Sequence, residues 1–391
     1  MSRRKICVVT GTRAEYGLLS TLLAELRSDA NVELQLVVTG AHLSPRFGST
    51  VKHIEEDGVP IAARVPVSID DDSALGVTKA LAELTLGLGS AFQELQPDLL
   101  LLLGDRYEMF SAAQAAMLAR IPIAHVHGGE ATEGLIDEAI RHAITKMSHL
   151  HFVSADAFRR RVIQLGETPE RVWTVGATGL DNIAKVSLIE RSALEADLGI
   201  KFIPPTFLVT HHPVTLQASD SGAAMRTVLD VLDTFGGTII ITGVNADPGN
   251  ETIRREISRF AATREGRVLV VETLGTRRYL STMAEADVVV GNSSSGLIEA
   301  PSLGTPTVDI GDRQRGRLYA PSVIHCTESA EAICEAISRA LSIEHRVIAR
   351  QRQTPYGEPG AAQRIAAIVS SYPINGLLLK PFYDLLGVEC R

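Results

Sequence analysis

The sequence predicts an α/β protein built from two Rossmann-like, doubly wound domains in tandem. Three observations point there. Short aliphatic runs alternate with longer helix-patterned stretches, the alternation stops and restarts midway, and 391 residues suit two domains of roughly 100–200 residues each. Residues 6–9, 34–38, 99–103, 121–126 and 150–153 are continuous apolar runs, as expected of strands covered on both faces. Residues 15–26, 75–95, 107–119 and 137–147 carry the helical pattern between them. A second strand set follows at 207–209, 238–241, 268–271, 288–290 and 307–310, with helices between. The Gly- and Pro-containing stretch 198–205 is a hinge candidate. The expected division is 1–180 for the first domain, 181–370 for the second, and 371–391 for a helical tail packing back on the first.

Composition narrows the function classes. Hydrophobic residues are 45% and charged residues 21%, an ordinary globular balance with material for two cores. The net charge of −8 argues against nucleic acid or an anionic membrane surface as partner. It leaves room for a small anionic ligand, which would need a local cluster of positive charge. The apolar run after Met-Ser-Arg-Arg-Lys is too short for a signal-peptide core. No run approaches the ~18 apolar residues of a membrane span. A cytoplasmic protein is expected. Cys7, Cys326, Cys334 and Cys390 lack CxxC spacing and read as free thiols. The acidic run at 70–72 reads as a solvated loop.

In open parallel sheets ligands sit beyond the carboxyl ends of the strands, so the residues after each strand carry the chemistry. After the first strand, Gly11-Thr12-Arg13 leads into a helix start, where free amides and Arg13 suit an anion; a plain turn with a solvated Arg13 is the alternative. After 99–103 come Gly104, Asp105 and Arg106, with Asp105 either an N-cap or a catalytic carboxylate. The next strand ends His125-Val126-His127-Gly128-Gly129-Glu130, with Asp137, Glu138, Arg141 and His142 shortly after. Period two would set His125 and His127 on one face. Lacking HExxH spacing and cysteine ligands, this cluster fits proton transfer better than a metal site. In the second half, His211-His212-Pro213 ends a strand and one of the two histidines is a candidate. Gly291-Asn292-Ser293-Ser294-Ser295-Gly296 opens a helix as a phosphate cradle, or else Ser merely caps it. Glu299 on that helix suits a ribose diol. Arg313, Arg315 and Arg317 form a positive block fit for a diphosphate, or a solvated loop.

Taken in order, GTRAEYG, GDRYE, HVHGGE, IDEAIRHAITKMSHLHFVS, THHP, GNSSSGLIEAPSLGTP and GDRQRGR resemble the hydrolysing UDP-N-acetylglucosamine 2-epimerase family, in its sialic and nonulosonic acid branch. The likeness runs along nearly the whole chain. It implies a GT-B-like fold with the active site in the interdomain cleft. It also implies a two-step reaction: a base removes the C2 proton as UDP leaves C1, then water adds to the glycal at C1 while C2 is reprotonated from the other face. The products of UDP-N-acetylglucosamine would be N-acetylmannosamine and UDP. No nicotinamide or metal cofactor is implied, and a homodimer or homotetramer is.

By motif, Arg13, His212, Ser293, Ser294, Glu299 and Arg313 would hold the nucleotide. Arg106 and Arg141 would line the sugar, and Asp105 and Asp137 match carboxylates of proton transfer. Many members carry Glu where this chain has His127, so the third acid/base role would fall to His127 or Glu130. A UDP- or GDP-linked 2,4-diacetamido-trideoxyhexose fits the same motifs. Rival classes are a GT-B glycosyltransferase, which would not need acid/base groups for both faces of C2, and a non-catalytic nucleotide-sugar binder. A non-hydrolysing epimerase would carry Lys where this chain has Leu18.

Overall fold

The computed structural model describes residues 3–71, 73–133, 135–214, 221–244 and 249–385. Asp72 of the acidic run, Cys390 and the end of the expected tail lie outside the described residues. The chain divides into two compact units. The first comprises Met1–Glu130, Asp137–Asp181 and Gly357–Arg391, the second Ala131–Ile136 and Asn182–Tyr356.

The strands of the first unit are β1 (Arg4–Thr10), β2 (Val32–Thr39), β3 (Ile61–Val65), β4 (Leu99–Leu103), β5 (Ile123–Val126), β6 (Leu150–Val153) and β7 (Val172–Thr174). They form one parallel sheet in the order β3-β2-β1-β4-β5-β6-β7. The alternation of side chains explains why its central strands are apolar throughout. Leu99, Leu101 and Leu103 of β4 enter one core with Ile6 and Val8, while Leu100 and Leu102 enter the opposite core with Cys7 and Val9. Each such leucine contributes about 1.5–3 kcal/mol by leaving water.

The returning segment completes the first core. Helix Ala361–Ser371 packs Ala361, Ala362, Ile365 and Val369 beside Leu19 and Leu22. Its first amides are met by the buried Asp181 carboxylate, which accepts from Gly360, Ala361 at 3.0 Å and Ala362 at 2.6 Å. The chain thus rejoins the first unit at Gly357, ahead of residue 371 where the tail was expected to begin.

The second unit holds β8 (Thr206–Thr210), β9 (Thr238–Thr242), β10 (Val268–Val271), β11 (Val288–Gly291), β12 (Thr307–Ile310) and β13 (Val323–Cys326). These are parallel in the order β10-β9-β8-β11-β12-β13. The hinge candidate 198–205 lies inside this unit. Gly199 stops helix Arg191–Leu198 in the left-handed region, and Ile200 and Phe202 are buried against Leu194 and Leu208. Its Gly and Pro mark a helix stop before β8, not a linker. No helix among the described residues is long and apolar enough to cross a membrane.

Candidate active site

Each sheet reverses its strand order beside its first strand, between β1 and β4 and between β8 and β11. Loops leaving such a pair diverge and open a crevice for ligand. Most of the candidate residues follow these four strands.

After β1, Thr12 caps helix Arg13–Ser28, its hydroxyl accepting from the Glu15 amide at 3.3 Å. The Glu15 carboxylate reaches back to the Gly11 and Thr12 amides at 2.9 and 3.0 Å, completing a capping box. Those two amides are therefore satisfied from within, and Arg13 follows as the first helical residue. Glu15 is buried, and burial followed by the Glu108 carboxylate pushes its carboxyl up to about 7. Glu108, also buried, crowds Gly11 so closely that a Cβ there would lie 3.0 Å from its Cγ. Arg106 turns to Glu108, with Nε 3.1 Å from Oε2.

After β4 the chain turns at Gly104, with φ +81°, and Asp105 follows. Arg106 rather than Asp105 holds the N-cap position of helix Tyr107–Leu118, and no side chain caps it. The Asp105 carboxylate instead meets the Arg141 guanidinium. Arg141 is buried and serves as a hub. Nη1 donates to the Glu138 carboxylate at 2.8 Å and to the Glu130 carbonyl at 3.0 Å. Its side chain is 1% exposed and that of Asp105 21%, so the carboxylate is the outward member of the pair. Helix Asp137–Met147 supplies Arg141, Glu138 and His142, whose Nε2 is 3.0 Å from Glu138 Oε1. Asp137 opens this helix, half-buried.

β5 ends at Val126, and His127 enters the left-handed region at φ +65°, rare for a residue with a Cβ. The alternation expected to put His125 and His127 on one face stops there. The Thr178 amide donates to His127 Nε2 at 3.2 Å, so the ring proton is on Nδ1 and is donated to Glu130 Oε1 at 2.8 Å. Ser154 donates to the same oxygen at 2.8 Å. His127 and Glu130 thus form one buried dyad rather than two independent groups.

In the second unit Asn292, the first residue beyond β11, gathers the candidates. Its Oδ1 accepts from the His212 amide at 2.7 Å and its Nδ2 donates to the His212 carbonyl at 2.8 Å. Its own carbonyl accepts from Arg313 at 3.2 Å and Gln314 at 2.7 Å. Gly291 permits this approach, since a Cβ there would fall 2.0 Å from the Thr210 carbonyl oxygen. Ser293 Oγ is 3.1 Å from Ser295 Oγ, which pairs with the Tyr279 hydroxyl at 2.6 Å. Ser294 is the N-cap of helix Ser295–Leu303, without a side-chain capping bond, and Glu299 lies half-buried on that helix. Buried His211 is held down to about 4, first by burial and then by Arg313. The positive block divides: Arg313 turns to Asn292, while Arg315 pairs with Glu133 at 2.9 Å.

The structure therefore brings Asp105, Arg141 and Glu130 together in one unit, and His212, Ser293 and Arg313 around Asn292 in the other. Sequence reasoning did not single out Asn292, although it stood at the carboxyl end of a recognised strand. Ser154 and Thr178 carry no local signal, because their contacts depend on how distant elements pack.

A family model described as UDP-N-acetylglucosamine 2-epimerase matches residues 24–370. The chain is 40% identical over 325 residues to the GDP/UDP-N,N'-diacetylbacillosamine 2-epimerase (hydrolyzing) of Campylobacter jejuni, spanning 83% of this chain and 84% of that one. It is 34% identical over 376 residues to the UDP-N,N'-diacetylbacillosamine 2-epimerase (hydrolyzing) of Legionella pneumophila, spanning 96% and 98%. Among solved structures, UDP-GlcNAc 2-epimerase from Neisseria meningitidis bound to UDP-GlcNAc aligns with a TM-score of 0.78 at 18% identity, covering 93% of this chain and 99% of that one. At that identity the likeness speaks to the fold.

Proposed function

Since the chain belongs to the UDP-N-acetylglucosamine 2-epimerase family, among its hydrolysing members, we propose that it acts on a UDP-linked 2,4-diacetamido-2,4,6-trideoxyhexose, inverting C2 and releasing UDP. Two relatives at 40% and 34% identity carry the diacetylbacillosamine 2-epimerase name, which supports this choice of sugar. UDP-N-acetylglucosamine is the second reading, favoured by the description of the family model itself.

The chemistry needs a base for a weakly acidic C2 proton, stabilisation of the leaving diphosphate, and an acid on the opposite face. In the first step the base takes the C2 proton, the electron pair forms the C1–C2 double bond, and the C1–O bond to UDP breaks. In the second, water adds its oxygen to C1 and a proton reaches C2 from the other side. Asp105 and Asp137 take the proton-transfer roles. The Asp105–Arg141 pair is the observation that carries this part: a buried cation orients an outward carboxylate at the end of β4. The His127–Glu130 dyad fills the third role. Arg313, Ser293, Ser294 and the start of helix Ser295–Leu303 hold the diphosphate, with Arg13 as a further cation, Glu299 on the ribose and His212 beside the phosphates. Arg106 lines the sugar side, and Arg141 acts on the sugar through Asp105.

Incubating the protein separately with the UDP-linked diacetamido sugar and with UDP-N-acetylglucosamine, and measuring free UDP by ion-exchange chromatography, tests the reading. Higher kcat/KM on the diacetamido sugar is expected. Higher kcat/KM on UDP-N-acetylglucosamine would transfer the assignment to the second reading, and no UDP from either would refute both.

A further inference from the structure

We propose that His125, which lies in the sheet rather than in the reacting set, is a positioning residue that sets the Asp105 carboxylate against Arg141. The proposal rests on the reading that Asp105 takes part in proton transfer.

His125 is fully buried in a central strand, with β4 on one side and β6 on the other. Burial holds its imidazole low, to about 3, so the ring is neutral with one donor and one acceptor. Nε2 lies 2.8 Å from the Gly104 carbonyl, which can only accept, so Nε2 carries the proton. Nδ1 is left as the acceptor, 3.1 Å from the Thr145 hydroxyl. The single Thr145 hydroxyl proton is shared between Nδ1 and the Arg141 carbonyl, 3.0 Å from Oγ1, on the helix whose guanidinium meets Asp105.

The geometry is that of a spacer. The Gly104 turn is held at both of its polar groups from β5: its amide donates to the Val126 carbonyl at 3.0 Å and its carbonyl accepts from His125. The other ring nitrogen touches helix Asp137–Met147. One rigid imidazole thus sets the distance between the loop bearing Asp105 and the helix bearing Arg141. Gly128 makes room for it, since a Cβ there would lie 3.0 Å from both His125 Nδ1 and Thr145 Oγ1. An apolar ring of the same volume would take this partner from the Gly104 carbonyl and from the Thr145 hydroxyl, so it is the polar ring that ties the loop to the helix.

The test compares His125→Phe, His125→Asn and His125→Gln in the whole protein, on whichever of the two UDP-sugars turns over faster. The Gln side-chain amide nitrogen reaches the position of Nε2, and that of Asn reaches only the position of Nδ1. For His125→Phe, kcat is expected to fall about 100-fold with KM changed less than about 3-fold, the scale of a small misplacement of a reacting group. His125→Gln should recover to within about 5-fold of the starting enzyme and His125→Asn should not. A residue that only supports the fold would make kcat follow melting temperature across the three variants, and that pattern would overturn the proposal. In an Asp105→Asn background, His125→Phe should cost no more than about 3-fold further in residual turnover, because its effect passes through Asp105. Full additivity in that cycle would overturn it as well. If Asp105→Asn alone leaves turnover intact, the acid/base reading fails first and takes this proposal with it.

Discussion

Replacing Arg141 by Met removes the cation at the centre of the candidate site while keeping most of the side-chain volume. In the native chain its guanidinium meets the Asp105 and Glu138 carboxylates and the Glu130 carbonyl. After substitution two carboxylates face the site without their shared counter-ion. Breaking a buried ion pair costs about 3–5 kcal/mol. Asp105 and Glu138 are 21% and 27% exposed, so water recovers part of that, and the lower end, about 3 kcal/mol, applies. For a unit of about two hundred residues this lowers the melting temperature by roughly 6–12 °C. Calorimetry should show the loss in the transition of the first unit. Titration with UDP should give an affinity within about 3-fold of the parent, since every proposed nucleotide group except Arg13 belongs to the other unit. Turnover should fall about 1,000-fold or more with the orientation of Asp105 lost. A variant melting within about 2 °C of the parent and retaining most of its turnover would refute the reasoning, because the hub would then hold nothing of consequence.

Asp105→Asn and Asp137→Asn should each lower kcat by about 100-fold or more with UDP affinity nearly unchanged, as read by steady-state kinetics and calorimetric titration; near-parental turnover in both would remove the carboxylates from proton transfer. Arg313→Ala should weaken UDP binding by about 10-fold or more, as it removes a charged donor next to the Asn292 loop; equal UDP affinity would exclude it from the diphosphate site. Glu15 supplies a pH signature. Its carboxyl titrates near 7 in the fold against 4.5 ordinarily, so between those values the folded chain holds a proton that the unfolded chain has lost. Stability from this group is greatest below about 4.5 and declines as pH rises towards 7. Glu15→Gln keeps an oxygen for the Gly11 and Thr12 amides and removes the titration, so melting temperatures at pH 5 and pH 8 should draw closer together. An unaltered gap would show that Glu15 does not carry the proton.

What could be read in the sequence follows from which strands are covered on both faces. The five leucines of β4 and the runs of β1, β5, β8 and β11 were visible because both faces meet a core. Of the four edge strands only β10, an unbroken apolar run, is among those expected; β3, β7 and β13 are not. In β3 half-buried and exposed residues alternate up to a buried Val65, Val172–Thr174 is only three residues long, and Val323–Cys326 carries an exposed His325. Their apolar content is diluted by water-facing positions. Helix Asp137–Met147 was legible to its ends, with acids in its first turn and Lys146 in its last. The motifs marked where the site residues stand but not their partners. Asp105 was open as an N-cap or a catalytic group; its pairing with Arg141 spans 36 positions and depends on β4 and β5 lying side by side. Nothing in the sequence pairs Glu15 with Glu108, and only packing reveals them as a buried pair.

Proton NMR in D₂O of the protein with its UDP-sugar tests the elimination–hydration reading most directly. The expected spectrum shows one free UDP per turnover and a reducing sugar with inverted configuration and deuterium at C2. Free UDP accompanied by a sugar that keeps its C2 proton and its original configuration would contradict the reading, since the C1–O bond would then be cleaved without any proton leaving C2.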